Sequence, residues 1–405
     1  MLDVDLIRTD FPIFAQPIGG KPLIYMDNAA TTQKPKSVIQ AVSAFYTTQN
    51  ATVRRGLYPL AVQATQAYEQ VREQVRRFIN AAAAKEIIFT YGTTDGINLV
   101  AQAFVAPRLK AGDAILLSAM EHHANLIPWQ QLCLQKGAAL RLIPMDEKGN
   151  LRLENIEKLL DDQVKLLAIT HVSNALGTIN PIETICALAR ERGIPVLIDA
   201  AQSAGYYPID VLATGCDFLV FSGHKMFAPT GIGVLYGKIE HLEAMQPQRF
   251  GGEMIRSVSF EETTFAEVPA RLEAGTPNVE GIIGLGAAIR YIQSFEKQAI
   301  VAHLEELTQY ATQQLSALHG VRLIGTAPQK SAIVSFLLEK IHPHDVATFL
   351  GEFGIALRAG HHCAQPVMDF LGIPGTLRAS FSIYNTKAEI DAFVAAVEAA
   401  QLFFK

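Results

Sequence analysis

Residues 218–237 read FLVFSGHKMFAPTGIGVLYG. Two short apolar runs flank a polar, turn-rich centre. Continuous runs of this length suit strands buried on both faces. The short connection between them predicts that one of the pair runs antiparallel. Lys225 stands just after the first run, beside Ser222 and His224 and before a Gly/Pro-rich turn. A lysine held in a low-dielectric pocket has a lowered pKa and forms an imine with an aldehyde. A lone loop lysine is more often simply solvated, so its surroundings must decide.

Five more runs precede this pair: EIIFT at Glu86, AILLSA at Ala114, AALRLIPM at Ala138, LLAITHV at Leu166 and PVLIDA at Pro195. Helical patterns lie between several of them, such as INLVAQAFVAPRL and ETICALARERG. Alternation of this kind predicts an α/β domain around a seven-stranded, mostly parallel sheet. The pattern changes after about Gly275. One long helix is expected from Gly281 toward His319, with Gly320 as its stop. Further strands and helices then predict a smaller α+β domain. The expected division is 1–22 as a segment packing on the small domain, 23–275 as the large domain and 276–405 as the small one.

In an open α/β sheet, ligands bind outside the carboxyl ends of the strands. The fifth run ends in LIDAAQS, and an acid straight after a buried apolar run is costly without a partner. A protonated ring nitrogen at Asp199 would serve, with Gln202 placed for a second contact. A metal suits less well, because no ligand sits at a suitable spacing. The first run ends in GTTDGIN, where Thr93 and Thr94 are expected to cap a helix whose free N–H groups attract phosphate. The second ends in MEHHAN, and His122 offers a flat imidazole for an aromatic ring. The fourth ends in HVSNALGT, where Asn174 offers a donor and an acceptor. Each signal alone has an ordinary structural explanation. Together they supply an imine lysine, an acid for a pyridine nitrogen and donors for phosphate, which is what pyridoxal 5′-phosphate (PLP) requires.

The 405 residues suggest about two or three packing units. With 49% apolar and 18% charged residues and a net charge of −5, no basic footprint for nucleic acid or an anionic membrane appears. Neither a signal peptide nor a membrane span is apparent. The four cysteines form no CxxC pair, which fits a cytoplasmic enzyme better than a disulfide framework. Cys133, Cys186 and Cys216 lie in or beside apolar patterns. Cys363 lies in a polar loop after His361 and His362, with Arg358 close by, where cationic neighbours favour thiolate.

The stretches YMDNAATTQKP, GTTDGIN, MEHHANLIPW, THVSNALGT, IDAAQS, FSGHKMFAPTGIGVLYG, EAGTPN, RAGHHCAQP and LRASFSIYNT run in order over nearly the whole chain. With them the chain resembles a cysteine desulfurase of the class V branch of fold-type-I PLP enzymes, closest to the kind serving the SUF iron–sulfur assembly system. The resemblance implies that Lys225 binds the cofactor covalently, Asp199 holds its ring nitrogen, His122 stacks on the ring and Gln202 reaches its hydroxyl. Thr94, Ser222 and His224 would bind the phosphate, helped by Thr276 from a second subunit of a homodimer. Asn174 and Arg378 would hold the carboxylate of L-cysteine. Cys363, beside Arg358 and His361, would take the sulfur as a persulfide and pass it to an acceptor protein. Selenocysteine lyase and cysteine-sulfinate desulfinase are alternatives on the same scaffold; an aminotransferase or kynureninase-like hydrolase leaves Cys363 unexplained. A docking scaffold without activity is the non-enzymatic alternative. Three places depart from the family pattern: Arg54 in VRRG, Asp95 after the two threonines, and a glycine stretch shortened to FGGEM.

Overall fold

A computed structural model describes residues 2–404. The seven expected runs form one sheet: β1 Ile87–Thr90, β2 Ala114–Ser118, β3 Ala139–Ile143, β4 Val164–Thr170, β5 Val196–Asp199, β6 Phe218–Ser222 and β7 Gly233–Gly237. Their order is β1-β7-β6-β5-β4-β2-β3. The neighbours from β6 through to β3 are parallel. Only β7 runs against its neighbours, β6 and β1. The fold is therefore the fold-type-I α/β architecture expected from the runs.

Side chains alternate between two hydrophobic cores, one on each face of the sheet. In β6, Leu219 and Phe221 enter one core while Phe218 and Val220 enter the other. This two-residue period explains why the strand has no polar side. The edge strand β3 is the most open, and Arg141 leaves it to pair with Asp161 at 2.7 Å. A charge on an edge strand discourages pairing with another chain.

A hairpin follows, β8 Ile255–Val258 and β9 Thr263–Phe265. The long helix expected from Gly281 is in fact two, Val279–Gln293 and Lys297–Ala317. The break spans Ser294–Glu296, where the Ser294 hydroxyl donates to the Tyr291 carbonyl at 2.6 Å. The first of these helices packs on the large-sheet side, against helices Lys36–Ala44 and Pro59–Phe78. A second, antiparallel sheet contains β10 Val321–Ile324, β11 Ile333–Leu338, β12 Arg358–Gly360 and β13 Thr376–Ser380, in the order β10-β11-β13-β12.

The N-terminal residues stitch the two sheets together. Ile24–Tyr25 pairs with Ile355–Ala356, and Ser380 donates its N–H to the Met26 carbonyl at 2.7 Å. Arg8 binds the Tyr384 carbonyl and the Glu389 carboxylate, each at 2.7 Å. As a result Ala29 and Ala30 arrive at the carboxyl ends of the large sheet, opposite β12 and β13.

Candidate active site

A cavity of about 230 Å³ lies where the two sheets meet. Thr93, Thr94, His122, Asn174, Asp199, Ser222, His224, Lys225, Arg358 and Arg378 all line it. The residues singled out at five separate strand ends thus converge on one place. Four expected residues do not line it. Gln202 gives its side-chain N–H to the Ala29 carbonyl at 2.8 Å. Thr276 is exposed, and His361 is exposed at the loop surface. Cys363, half-buried, is the chain neighbour of the lining residue His362.

Asp199 ends β5, and β6 beside it leads into Lys225. Both are buried. Burial pushes the Asp199 carboxyl up, while the N–H of Ala201, at 2.8 Å, and the Lys225 charge oppose it. Burial lowers the Lys225 pKa; the Asp199 charge opposes this, and Arg378 adds to it. A lysine so shifted is more readily the neutral amine that attacks an aldehyde. Burial likewise lowers the His122 imidazole to about 3, helped by the Lys225 charge. His122 is therefore neutral, and its Nδ1 accepts the Ala124 N–H at 3.0 Å.

The phosphate end differs from expectation in one respect. Gly92, not a threonine, is the N-cap of helix Thr93–Val100. Its φ of 147° lies in the region that favours glycine, and a Cβ on the facing Gly233 would come within 2.5 Å of its Cα. Only bare backbone fits that approach. Thr93 is the first helical residue; its N–H donates to Ser222 Oγ at 2.8 Å, and its hydroxyl also meets that oxygen at 2.8 Å. Thr94 stays available at the cavity wall, at the positive end of the helix dipole.

At the other end, Arg378 is 1% exposed. Its Nη1 donates to the Asn174 carbonyl at 2.9 Å and its Nη2 pairs with Asp27 at 3.0 Å. Its Nε has no hydrogen-bond partner among the described residues. A buried donor without a partner is costly, and an anion in the cavity removes the cost. Asn174 gives its amide N–H to the His362 carbonyl at 2.5 Å.

His362 and Glu121 are site residues that the strand-end argument passed over. His362, not His361, lines the cavity, and its Nε2 lies 2.8 Å from the Thr376 hydroxyl. Burial lowers its pKa to about 3. Glu121 lies beneath His122. Its carboxyl accepts from Thr170 N–H at 2.9 Å, from Asn125 at 2.7 Å and from Ser118. Burial pushes it up to about 8 against those hydrogen bonds. The signal that found Asp199, an acid after an apolar run, also marks Glu121 in AILLSAMEHHAN.

Cys133, Cys186 and Cys216 are buried, and Cys363 alone of the cysteines is partly open. It lies on residues 361–364, between β12 and helix Gln365–Leu371. His362 and Cys363 both have φ of 54°, in the left-handed region. A thiolate at Cys363 would lie close enough to favour the charged forms of Lys225 and Arg378. Of the departures, Arg54 joins a buried cluster with Tyr68, Arg72 and Glu273, and Asp95 pairs with Arg249.

These residues fit PLP. The buried Asp199 suits a protonated ring nitrogen, Lys225 suits the aldehyde, and Thr94 and His224, beside the N-terminus of helix Thr93–Val100, suit a phosphate. The orphaned Arg378 Nε remains for the carboxylate of an amino acid.

Residues 24–393 match the family model of class-V aminotransferases. A cysteine desulfurase of Synechococcus elongatus is 49% identical over 98% of this chain and 64% of that protein. A probable cysteine desulfurase of Halalkalibacterium halodurans is 49% identical over 98% of both. Among solved structures, the S-sulfonic acid form of the Escherichia coli cysteine desulfurase CsdA superposes with a TM-score of 0.92, at 39% identity over 100% of this chain and 99% of that one. The apo cysteine desulfurase of Thermococcus onnurineus gives 0.94, at 40% identity over 98% of each. The chain belongs to the class-V aminotransferase family and, within it, to the PLP-dependent cysteine desulfurases.

Proposed function

We propose that this desulfurase converts L-cysteine to L-alanine, leaves the sulfur as a persulfide on Cys363, and supplies it to an acceptor protein of a SUF-type iron–sulfur assembly system in the cytoplasm. The observation that carries the reading is the placement of Cys363. It is the one cysteine outside the apolar cores, on a loop that also forms the wall of the cavity through His362.

Bound PLP supplies the electron sink that makes the Cα–H bond of an amino acid acidic. The rest is work for the chain. Arg378, braced by Asn174 and Asp27, orients the substrate carboxylate. Lys225, kept toward its neutral form by burial, takes the Cα proton and returns it. His122 covers the ring and, being neutral, can give a proton from Nε2. The Cys363 thiolate attacks the γ-sulfur of the substrate. An S–S bond forms as the C–S bond breaks, and the electron pair of that bond stays with carbon, which gains a proton as alanine's methyl group.

The short connection 361–364 supports the SUF-type assignment, since a long mobile loop would mark the other group. Thr276 supports a homodimer: it is exposed in the EAGTPN stretch and does not line its own cavity. Leu57, Phe250 and the hairpin residues Val258 and Phe260 are also exposed large apolar side chains.

The decisive experiment is Cys363→Ala. The variant should keep the visible cofactor band and lose alanine formation from cysteine. Mass spectrometry of wild type after cysteine should find one extra sulfur on Cys363. Alanine formation from cysteine at the wild-type rate in the variant would overturn the persulfide step and favour the lyase or desulfinase alternatives.

A further inference from the structure

His123 follows the cavity-lining His122, yet its own contacts point elsewhere. Its backbone N–H donates to the Cys363 carbonyl at 2.7 Å. Its ring Nε2 accepts the N–H of Gln365 at 3.1 Å. One residue therefore holds the loop twice, both times just after the Cys363 side chain. The grip matters because the loop is not relaxed. His362 and Cys363 are consecutive non-glycine residues in the left-handed region, a conformation that persists only where the surroundings over-determine it.

The contacts on His362 cannot do this alone. Asn174 holds the His362 carbonyl and Thr376 holds the His362 ring, both before Cys363 in the chain. Gln365 lies after it, and among its backbone and ring contacts the His123 Nε2 is the tie back to the large sheet. Both ties of His123 come from the turn that begins with His122, whose ring forms the cavity wall.

We infer that His123 is a positioning residue for sulfur transfer: by clamping Cys363 and Gln365 to the His122 turn, it holds the loop that carries the thiol beside the cavity and limits its swing to solvent. The inference rests on Cys363 as the sulfur acceptor. Burial lowers the His123 pKa, with the His361 charge adding to it, which agrees with a ring that accepts rather than donates at Nε2.

Three holoenzymes test it: wild type, His123→Ala and His123→Gln. The alanine variant keeps the backbone bond to Cys363 and loses the acceptor. Glutamine places an amide oxygen at about the reach of Nε2. In His123→Ala, iodoacetamide should label Cys363 several-fold faster, read by mass spectrometry. Its kcat for cysteine should fall roughly ten- to a hundredfold, since a displacement of about 1 Å can cost a hundredfold. The KM for cysteine and the visible cofactor band should stay as in wild type, because neither contact is to substrate or cofactor. His123→Gln should return labelling and kcat toward wild type. Wild-type labelling and kcat in His123→Ala would overturn the inference. So would a His123→Gln variant as impaired as alanine, or a loss of the cofactor band in His123→Ala. If Cys363→Ala itself still desulfurated cysteine, the persulfide reading would fail, while the labelling comparison would still report whether the clamp exists.

Discussion

Arg358 and Arg378 are register partners on the neighbouring strands β12 and β13, and both line the same cavity. Like charges directly opposite each other in an antiparallel pair are destabilising. Arg378 is also buried, and the Arg358 charge lowers its pKa further. Among the described residues, only Asp27 offsets this pair by a direct ion pair to Arg378. An anionic substrate held between the two guanidiniums would supply the missing charge.

Arg378→Ala should therefore weaken the handling of L-cysteine more than it weakens the fold. A hydrogen bond to a charged group is worth about 1.5–3 kcal/mol, so kcat/KM should fall roughly ten- to 150-fold, mostly through KM. Arg378→Lys should not restore it, because lysine lacks the planar fork. Steady-state kinetics at fixed cofactor would check this, and an unchanged KM in Arg378→Ala would move the carboxylate site elsewhere.

Lys225 should carry the visible band, and both Lys225 and Asp199 should be needed for full turnover. Borohydride reduction of the holoenzyme should fix a pyridoxyl group on Lys225, seen by peptide mass spectrometry. Lys225→Ala should have no measurable turnover. Asp199→Asn should bind PLP but lose most activity, because an amide cannot neutralise a protonated ring nitrogen. Pyridoxyl on another lysine would refute the assignment.

Glu273 tests the buried cluster. It accepts from both Arg72 and Arg54, and from the Phe89 N–H at 2.7 Å. Removing one partner of a buried ion pair typically costs about 3–5 kcal/mol. Glu273→Gln should lower the urea midpoint accordingly. Its carboxyl is held below its ordinary value of 4.5, with burial opposing Arg72 and Arg54. The sign follows from that depression: the contribution is complete above the unfolded pKa and is lost as pH falls through the folded one. Wild type should lose stability below about pH 4.5 more steeply than Glu273→Gln, measured by urea unfolding across pH.

Thr276 tests the dimer. The prediction is a two-fold homodimer in which Thr276→Ala retains the dimer but releases PLP more readily on dialysis. Light scattering and cofactor content would check it. A monomer that keeps PLP on dilution would contradict the composite site.

The strands of the large sheet other than the edge strand β3 are legible in the sequence because each is a short apolar run buried on both faces, so no alternation is needed to find them. Lys225, Asp199, His122 and Asn174 are legible because polar residues directly after such runs must be accommodated, and strand ends are where ligands supply the partner. The split of the expected helix at Ser294 is not legible, since serine occurs inside helices, as Ser316 does here, as well as at their ends.

What the sequence by itself determined was the local order: which runs are strands, which loops carry chemistry, and which cysteine stands apart from apolar surroundings. Only the tertiary structure decided the partners. It placed Arg378 opposite Arg358 and against Asn174, and it chose His362 over His361 for the cavity wall. It also drew His123 to Cys363, far along the chain. The physical reason is that propensity and burial are properties of neighbours in sequence, while strand order and the meeting of two sheets set which distant side chains share one low-dielectric space.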